Sequence, residues 1–438
     1  MNITLKPQEN LMTSVIQNAI DECFRSGGGR VTLLAGQYLI GGIRLRSRVT
    51  LYLCGGAVLK GTRDPEDYAC LERDTVEPMP AEYASEVLWE SPRTRKTYDH
   101  ITKAGSRWNR AMIRIVDAVD AAIIGEEGSI IDGSDSYDAI GEEHYRGPHG
   151  ICVHYSKNIR FSGYTIRNTG NWAHLGFGSR GLSFSDLTVL GGHDGVHVSV
   201  CDDVTVENCE FYTGDDCVAG FDNERVTVRG CVLNTACSAF RFGGRDVLIE
   251  NCKAFGPARY FFRGSLSLED KISGNPAPLT GRKTMLALFT YYSDFSLKVR
   301  SLPGNIVIRN CQCEEMERFF LYDFSGNQVW QKNRPLSDIT FENVTADGVR
   351  MPLNVYGDVE NPIVLAMKGC RIGFSEPIPA AIRGAYYGRL DLEKVDFTNV
   401  DGPLVMSFGG DGEIVMRDVT GVNGTAAPAT EPYTCKSI

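Results

Sequence analysis

The chain has 438 residues, 42% of them hydrophobic and 23% charged, with a formal net charge of −10. That length supports a long continuous core, and a net-negative chain without a basic run argues against nucleic acid and anionic membranes as partners. No stretch approaches the roughly 18 apolar residues of a membrane span. The opening Met1–Lys6 segment has no apolar signal core, which together with abundant cysteine predicts a reducing cytoplasm.

Residues 13–25 carry apolar Val15, Ile16, Ala19, Ile20, Cys23 and Phe24 at helical spacing, with Ser14-Val15-Ile16-Gln17 as a capping-box pattern. Gly27-Gly28-Gly29 ends that helix, which is placed to plug the open end of a solenoid. Alternation through Val31, Leu33, Tyr38, Ile40, Ile43, Leu45, Val49, Leu51 and Leu53 predicts the first rungs of stacked strands. Two segments break the rhythm and read as loop insertions, about 64–110 (with Tyr83, Trp89, Tyr98, His100 and Trp108) and about 265–283. Each is as consistent with a cleft lid as with a cover over apolar rungs.

Between and beyond them, short β-branched strands end in a repeated polar-plus-small step. It stands at Ser162-Gly163, Ser185-Asp186, Asn208-Cys209, Gly230-Cys231 and Asn251-Cys252, spaced by 21 to 23 residues. It returns at Asn310-Cys311, Asn343-Val344, Gly369-Cys370, Lys394-Val395 and Asp418-Val419. A period this short leaves no room for a helix or for a four-stranded propeller blade, which needs about 40–45 residues. The expected fold is therefore all-β: a parallel β-helix, one domain over 1–438 with an N-terminal capping helix.

Cys209, Cys231, Cys252, Cys311 and Cys370 share one phase of the coil, which predicts an inward ladder of buried thiols. No cysteine pair has zinc spacing with a matching second pair, so no metal or other cofactor is expected.

Gly192-His193-Asp194-Gly195-Val196-His197 and Gly214-Asp215-Asp216-Cys217 lie about one coil apart. Parallel rungs are about 4.8 Å apart, so Asp194 and Asp215 are expected to stack on consecutive rungs. Carboxylates so placed can face one sugar linkage, as acid/base hydrolysis of a glycoside requires.

Ala19–Cys23, Gly27–Gly29, Leu34-Ala35-Gly36-Gln37-Tyr38, Gly56–Leu59, Ile130-Ile131-Asp132-Gly133, Asn171-Trp172 and Gly214–Cys217 together resemble the polygalacturonase family, glycoside hydrolase family 28, over about 10–60 and 110–265. The resemblance implies a right-handed β-helix in which Asp215 is the general acid while Asp216 and Asp194 position and deprotonate water. It also implies departures. Gly192-His193 stands where the family has Asn-Thr, and His197 replaces a later aspartate. The family histidine falls near Cys237-Ser238-Ala239, with Ser238 as the nearest equivalent.

The uronate-gripping Arg-Ile-Lys is likewise absent, leaving Arg263 and Arg241 as candidate carboxylate clamps. His193 and His197 are further candidate substrate contacts, and Trp172 and Tyr291-Tyr292 are candidate sugar platforms. The expected activity is inverting hydrolysis of an oligosaccharide or polysaccharide, pectin-derived and exo-acting. The alternatives are a β-helix polysaccharide lyase or sugar transferase, and a non-catalytic carbohydrate-binding β-helix. Nothing in the residues indicates an oligomeric state.

Overall fold

The computed structural model describes residues 1–70, 107–274, 278, 281–293, 300–324 and 334–433. Tyr83, Trp89, Tyr98 and His100 of the first insertion lie outside the described residues. Strands follow one another in a single coiled sheet, each pairing in parallel with its equivalent one coil on. One coil comprises His149–His154, Lys157–Ser162 and Thr165–Arg167; the next comprises His174–Phe177, Arg180–Ser185 and Thr188–Gly191. The three pairs register as Ile151 on His174, Ile159 on Leu182 and Ile166 on Val189. Further along, strands merge around the corner, so Val218–Arg229 pairs with both Val196–Ser199 and Asp202–Glu207.

The repeated step has a backbone cause. Gly163, Asp186, Asn208, Gly230, Asn251, Asn310, Asn343, Gly369, Lys394 and Asp418 all have positive φ, between 52° and 79°. Each coil turns there through the left-handed region, which Gly, Asn and Asp enter most readily. The apolar residue that follows then points inward. Cys209, Cys231, Cys252, Cys311 and Cys370 sit in the core as the expected ladder. Each thiol donates to the carbonyl two residues earlier: Glu207, Arg229, Glu250, Arg309 and Lys368. A small polarizable thiol satisfies a carbonyl at the corner while filling core volume.

The helix Thr13–Arg25 buries Ile16, Ala19, Ile20 and Cys23 over the first coil. Its predicted capping box is not formed. Met12 is the N-cap, with no side-chain cap bond. Thr13 and Gln17 are instead spent on tertiary contacts: Thr13 Oγ1 accepts from Gly41 N, and Gln17 bonds both the N–H and the carbonyl of Arg44. Docking to the coil outweighs local capping. Of the first insertion, Tyr68 and Trp108 are buried against the solenoid.

The second insertion contains a short helix, Leu268–Ser273. Its end reaches back across several coils, where Ile272 and Ser273 accept from Arg63.

Candidate active site

Strand register decides which acidic residues meet. Val196 pairs with Val218, and Gly195 N donates to Asp216 O at 2.9 Å. Asp194 therefore stacks on Asp216, and His193 stacks on Asp215. This corrects the expected Asp194–Asp215 stack. Thr188 pairs with Glu210 before the turn and Val196 with Val218 after it, so the coil here is 22 residues long, one more than the 21 between the two aspartates.

The glycines before the acids permit a close approach. A Cβ on Gly214 would strike the Phe261 carbonyl, and one on Gly192 would press on Arg263 Cβ at 3.2 Å. The second insertion thus folds back directly over these two turns.

All three carboxyls are buried and held differently. Asp215 Oδ1 accepts from Asp216 N at 3.1 Å, and the Asp215 carbonyl accepts from the hydroxyls of Thr213 and Thr235 at 2.6 and 2.5 Å. Asp216 Oδ1 accepts from Ser238 N at 2.8 Å, and Arg241 Nη1 lies 3.7 Å from Asp216 Oδ2. Asp194 Oδ2 lies 2.7 Å from His197 Nδ1. Burial first, then Asp215, pushes the Asp216 carboxyl up to about 7. Burial, then Asp215 and Asp216, pushes Asp194 well above the ordinary carboxylate range. Crowded, buried carboxyls retain protons that they would release in water.

Each predicted contact residue has a definite place. His193 Nδ1 takes a hydrogen bond from Arg146 Nη1 at 3.1 Å. Since arginine can only donate, the proton of neutral His193 sits on Nε2, which has no partner among the described residues. Trp172 lies one rung below Asp194, and its indole stacks on His197 at 3.7 Å and 4°, so one ring face is covered by protein. Arg241 also lies over the Tyr292 ring at 4.1 Å. Ser238 Oγ bonds Thr290 Oγ1 at 2.9 Å. Tyr291 is a core residue whose hydroxyl donates to the Pro335 carbonyl.

Arg263 is the exception among these contacts. Its guanidinium pairs with Asp135 and donates to the Lys271 carbonyl, so the protein itself occupies the expected clamp.

Several residues not picked out in the sequence complete the site. Arg146 is buried and donates to Asn171 Oδ1 (3.1 Å) and Glu143 Oε2 (3.0 Å), with Asp215 Oδ2 at 3.5 Å. It enters from a turn outside the repeat, where periodicity carries no signal. Cys237, which the sequence places beside the lost family histidine without a role, is at the register of Asp215 one coil on. Its thiol and one oxygen each of Asp215 and Asp216 lie within 4.8 Å of one another. Arg282 Nη2 is 2.9 Å from that sulfur, a positive charge that a cation bound there would have to oppose. His174, in the core beneath, contacts the Gly195 carbonyl through Nδ1 at 3.3 Å and Tyr164 Oη through Nε2 at 2.9 Å. A carbonyl only accepts, so His174 supports the Asp194 turn through an Nδ1–H.

Comparison with known proteins places this geometry. Residues 109–256 match the family model for a right-handed β-helix region. A Vitis vinifera protein described as a probable polygalacturonase is 26% identical over 223 residues, 48% of this chain and 41% of the relative. The chain is a right-handed parallel β-helix with a distant resemblance to polygalacturonases. The match spans less than half the length of that curated relative. Among solved structures, a hyperthermoactive exopolygalacturonase from Thermotoga maritima superposes with a TM-score of 0.60 over 91% of both chains at 15% identity. A surface adhesin of Streptococcus pneumoniae superposes with a TM-score of 0.61 over 94% of this chain and 93% of its own, at 13% identity. At these identities the two superpositions establish the fold and leave activity to the site.

Proposed function

We propose that this polygalacturonase-like chain is an inverting glycoside hydrolase that trims pectin-derived oligosaccharides from a chain end. The observation that carries the proposal is the unequal environment of three buried carboxyls on adjacent rungs. Asp194 and Asp216 are stacked together, while Asp215 is offset by one position and approached by Arg146. In this reading Asp215 gives its proton to the leaving oxygen as the glycosidic C–O bond breaks. Asp194 and Asp216 hold a water on the other side and take its proton as its oxygen bonds the anomeric carbon. Arg146 and Arg241 supply positive charge beside the carboxyls, which supports an acidic sugar as substrate. The thirteen free cysteines among the described residues support a reducing compartment for the enzyme.

The test is an activity screen on oligogalacturonides, rhamnogalacturonan fragments and neutral α-linked oligosaccharides, with NMR of the first-formed anomer. Inverted configuration from acidic substrates is expected. Retained configuration, an unsaturated product or no cleavage of any substrate would overturn the proposal. Asp215→Asn should lower kcat by about 10²–10⁴ with Tm unchanged. Substrates with activated leaving groups, which need less protonation, should be rescued in this variant and not in Asp194→Asn.

A further inference from the structure

His197 and Asp194 face each other at 2.7 Å between Nδ1 and Oδ2, both buried. The imidazole is fixed from two sides. Trp172 stacks on it at 3.7 Å and 4°, and Tyr292 meets it edge-on at 6.3 Å and 82°. Asp216 and Asp215 on the next coil have Arg241 and Arg146 as their nearest cations. The close polar partner of Asp194 is this histidine alone among the described contacts.

We propose that His197 is a positioning residue for water activation: as a neutral imidazole it donates Nδ1–H to Asp194 Oδ2, holding Asp194 ionised with Oδ1 left to take the proton from water. The inference rests on the hydrolase reading above and assigns His197 a role other than touching substrate.

The surroundings decide which partner carries charge. The groups facing the pair are Asp215, Asp216, Arg241, Arg146 and His149. Burial, then Arg241, holds His197 well below the ordinary histidine range, so the ring stays neutral. A neutral ring with a carboxylate at Nδ1 keeps its single proton on that nitrogen. Burial and two neighbouring carboxyls push Asp194 toward its protonated form, in which it is no base. A hydrogen bond donated to the charged form opposes that push. The ring cannot rotate away, because Trp172 covers one face.

Two measurements test this. In the first, wild-type protein labelled with ¹⁵N-histidine is examined by long-range ¹H–¹⁵N NMR, with His197→Leu identifying the signal. Expected is the neutral Nδ1–H tautomer from pH 5 to 8. An Nε2–H tautomer, or a doubly protonated ring at pH 6, would sink the proposal. In the second, kcat/KM is followed against pH on the cleaved oligosaccharide. His197→Leu should move the acid limb up by about one pH unit, an approximately tenfold loss on that side, with KM little changed. His197→Asn, whose amide can donate in place of Nδ1–H, should restore most of it. An unmoved limb overturns the inference. If the wild type cleaves nothing, the hydrolase reading fails, while the tautomer measurement still decides the state of the pair.

Discussion

Asp216 shows what it takes to bury three carboxyls together. Its folded-state pKa rises from 3.8 to about 7, through burial first and then Asp215. Between those values the folded chain keeps a proton that the unfolded chain has released. The resulting stabilisation is largest at low pH, declines as pH rises from about 4 to about 7, and is lost above that. Asp216→Asn removes the titration while leaving a similar shape. The variant should therefore melt about 1–3 °C higher than wild type at pH 8, and the gain should vanish near pH 4. Thermal melts at the two pH values check this; a gain independent of pH would contradict it. Turnover should fall at both, because the same carboxyl that strains the fold is assigned to the water.

At the scale of the element, the corner is the unit that repeats. Asn310 sits at φ 54° and accepts from Asn343 Nδ2 of the next coil at 3.3 Å. A β-branched residue is poorly suited to the left-handed region, so Asn310→Val should lower stability by about 1–2 kcal/mol. Asn310→Gly, free of that strain, should recover most of the loss. Urea denaturation separates the two.

The second insertion obeys different rules, because its residues are placed by contacts outside the repeat. Arg263 ties it to Asp135 on the solenoid and to its own helix through the Lys271 carbonyl. Asp135 is part-exposed, so the loss should fall below the about 3–5 kcal/mol of a fully desolvated pair. Arg263→Ala should therefore loosen the 261–274 excursion and expose it to limited proteolysis. Any rise in KM should be equal for acidic and neutral sugars; a rise confined to acidic sugars would restore Arg263 as a carboxylate clamp.

As a whole molecule, the chain is a one-dimensional stack in which each coil buries its neighbour, and one hydrophobic cluster runs from Met12 to Val405. The helix Thr13–Arg25 closes the first coil with Ile16, Ala19, Ile20 and Cys23. Ile20→Ala should cost about 2–5 kcal/mol locally. Because coupling is mainly between nearest coils, hydrogen exchange should rise in the strands Asn2–Leu5, Gly29–Leu33 and Val49–Leu53 and stay unchanged beyond Val196. Uniform loss of protection along the stack would show that the coils unfold as one unit. No helix among the described residues is long and apolar enough to cross a membrane.

The repeat was legible because it is local chemistry: a Gly, Asn or Asp where the chain must turn left-handed, then a small apolar residue pointing in. The same locality exposed the inward cysteines, the buried face of the first helix, and the two acidic turns as neighbours. Each rests on the preferences of one or two adjacent residues. Register, however, follows the strand pairing, which here repeats every 22 residues while the two aspartates are 21 apart, and so Asp194 met Asp216 rather than Asp215. Side chains that could cap a helix or clamp a substrate have competing partners visible only in three dimensions. Gln17 went to Arg44, and Arg263 to Asp135. Arg146 reached Asp215 from a turn that shares no period with the strands, and only the tertiary structure brings a charge so placed to the carboxyls.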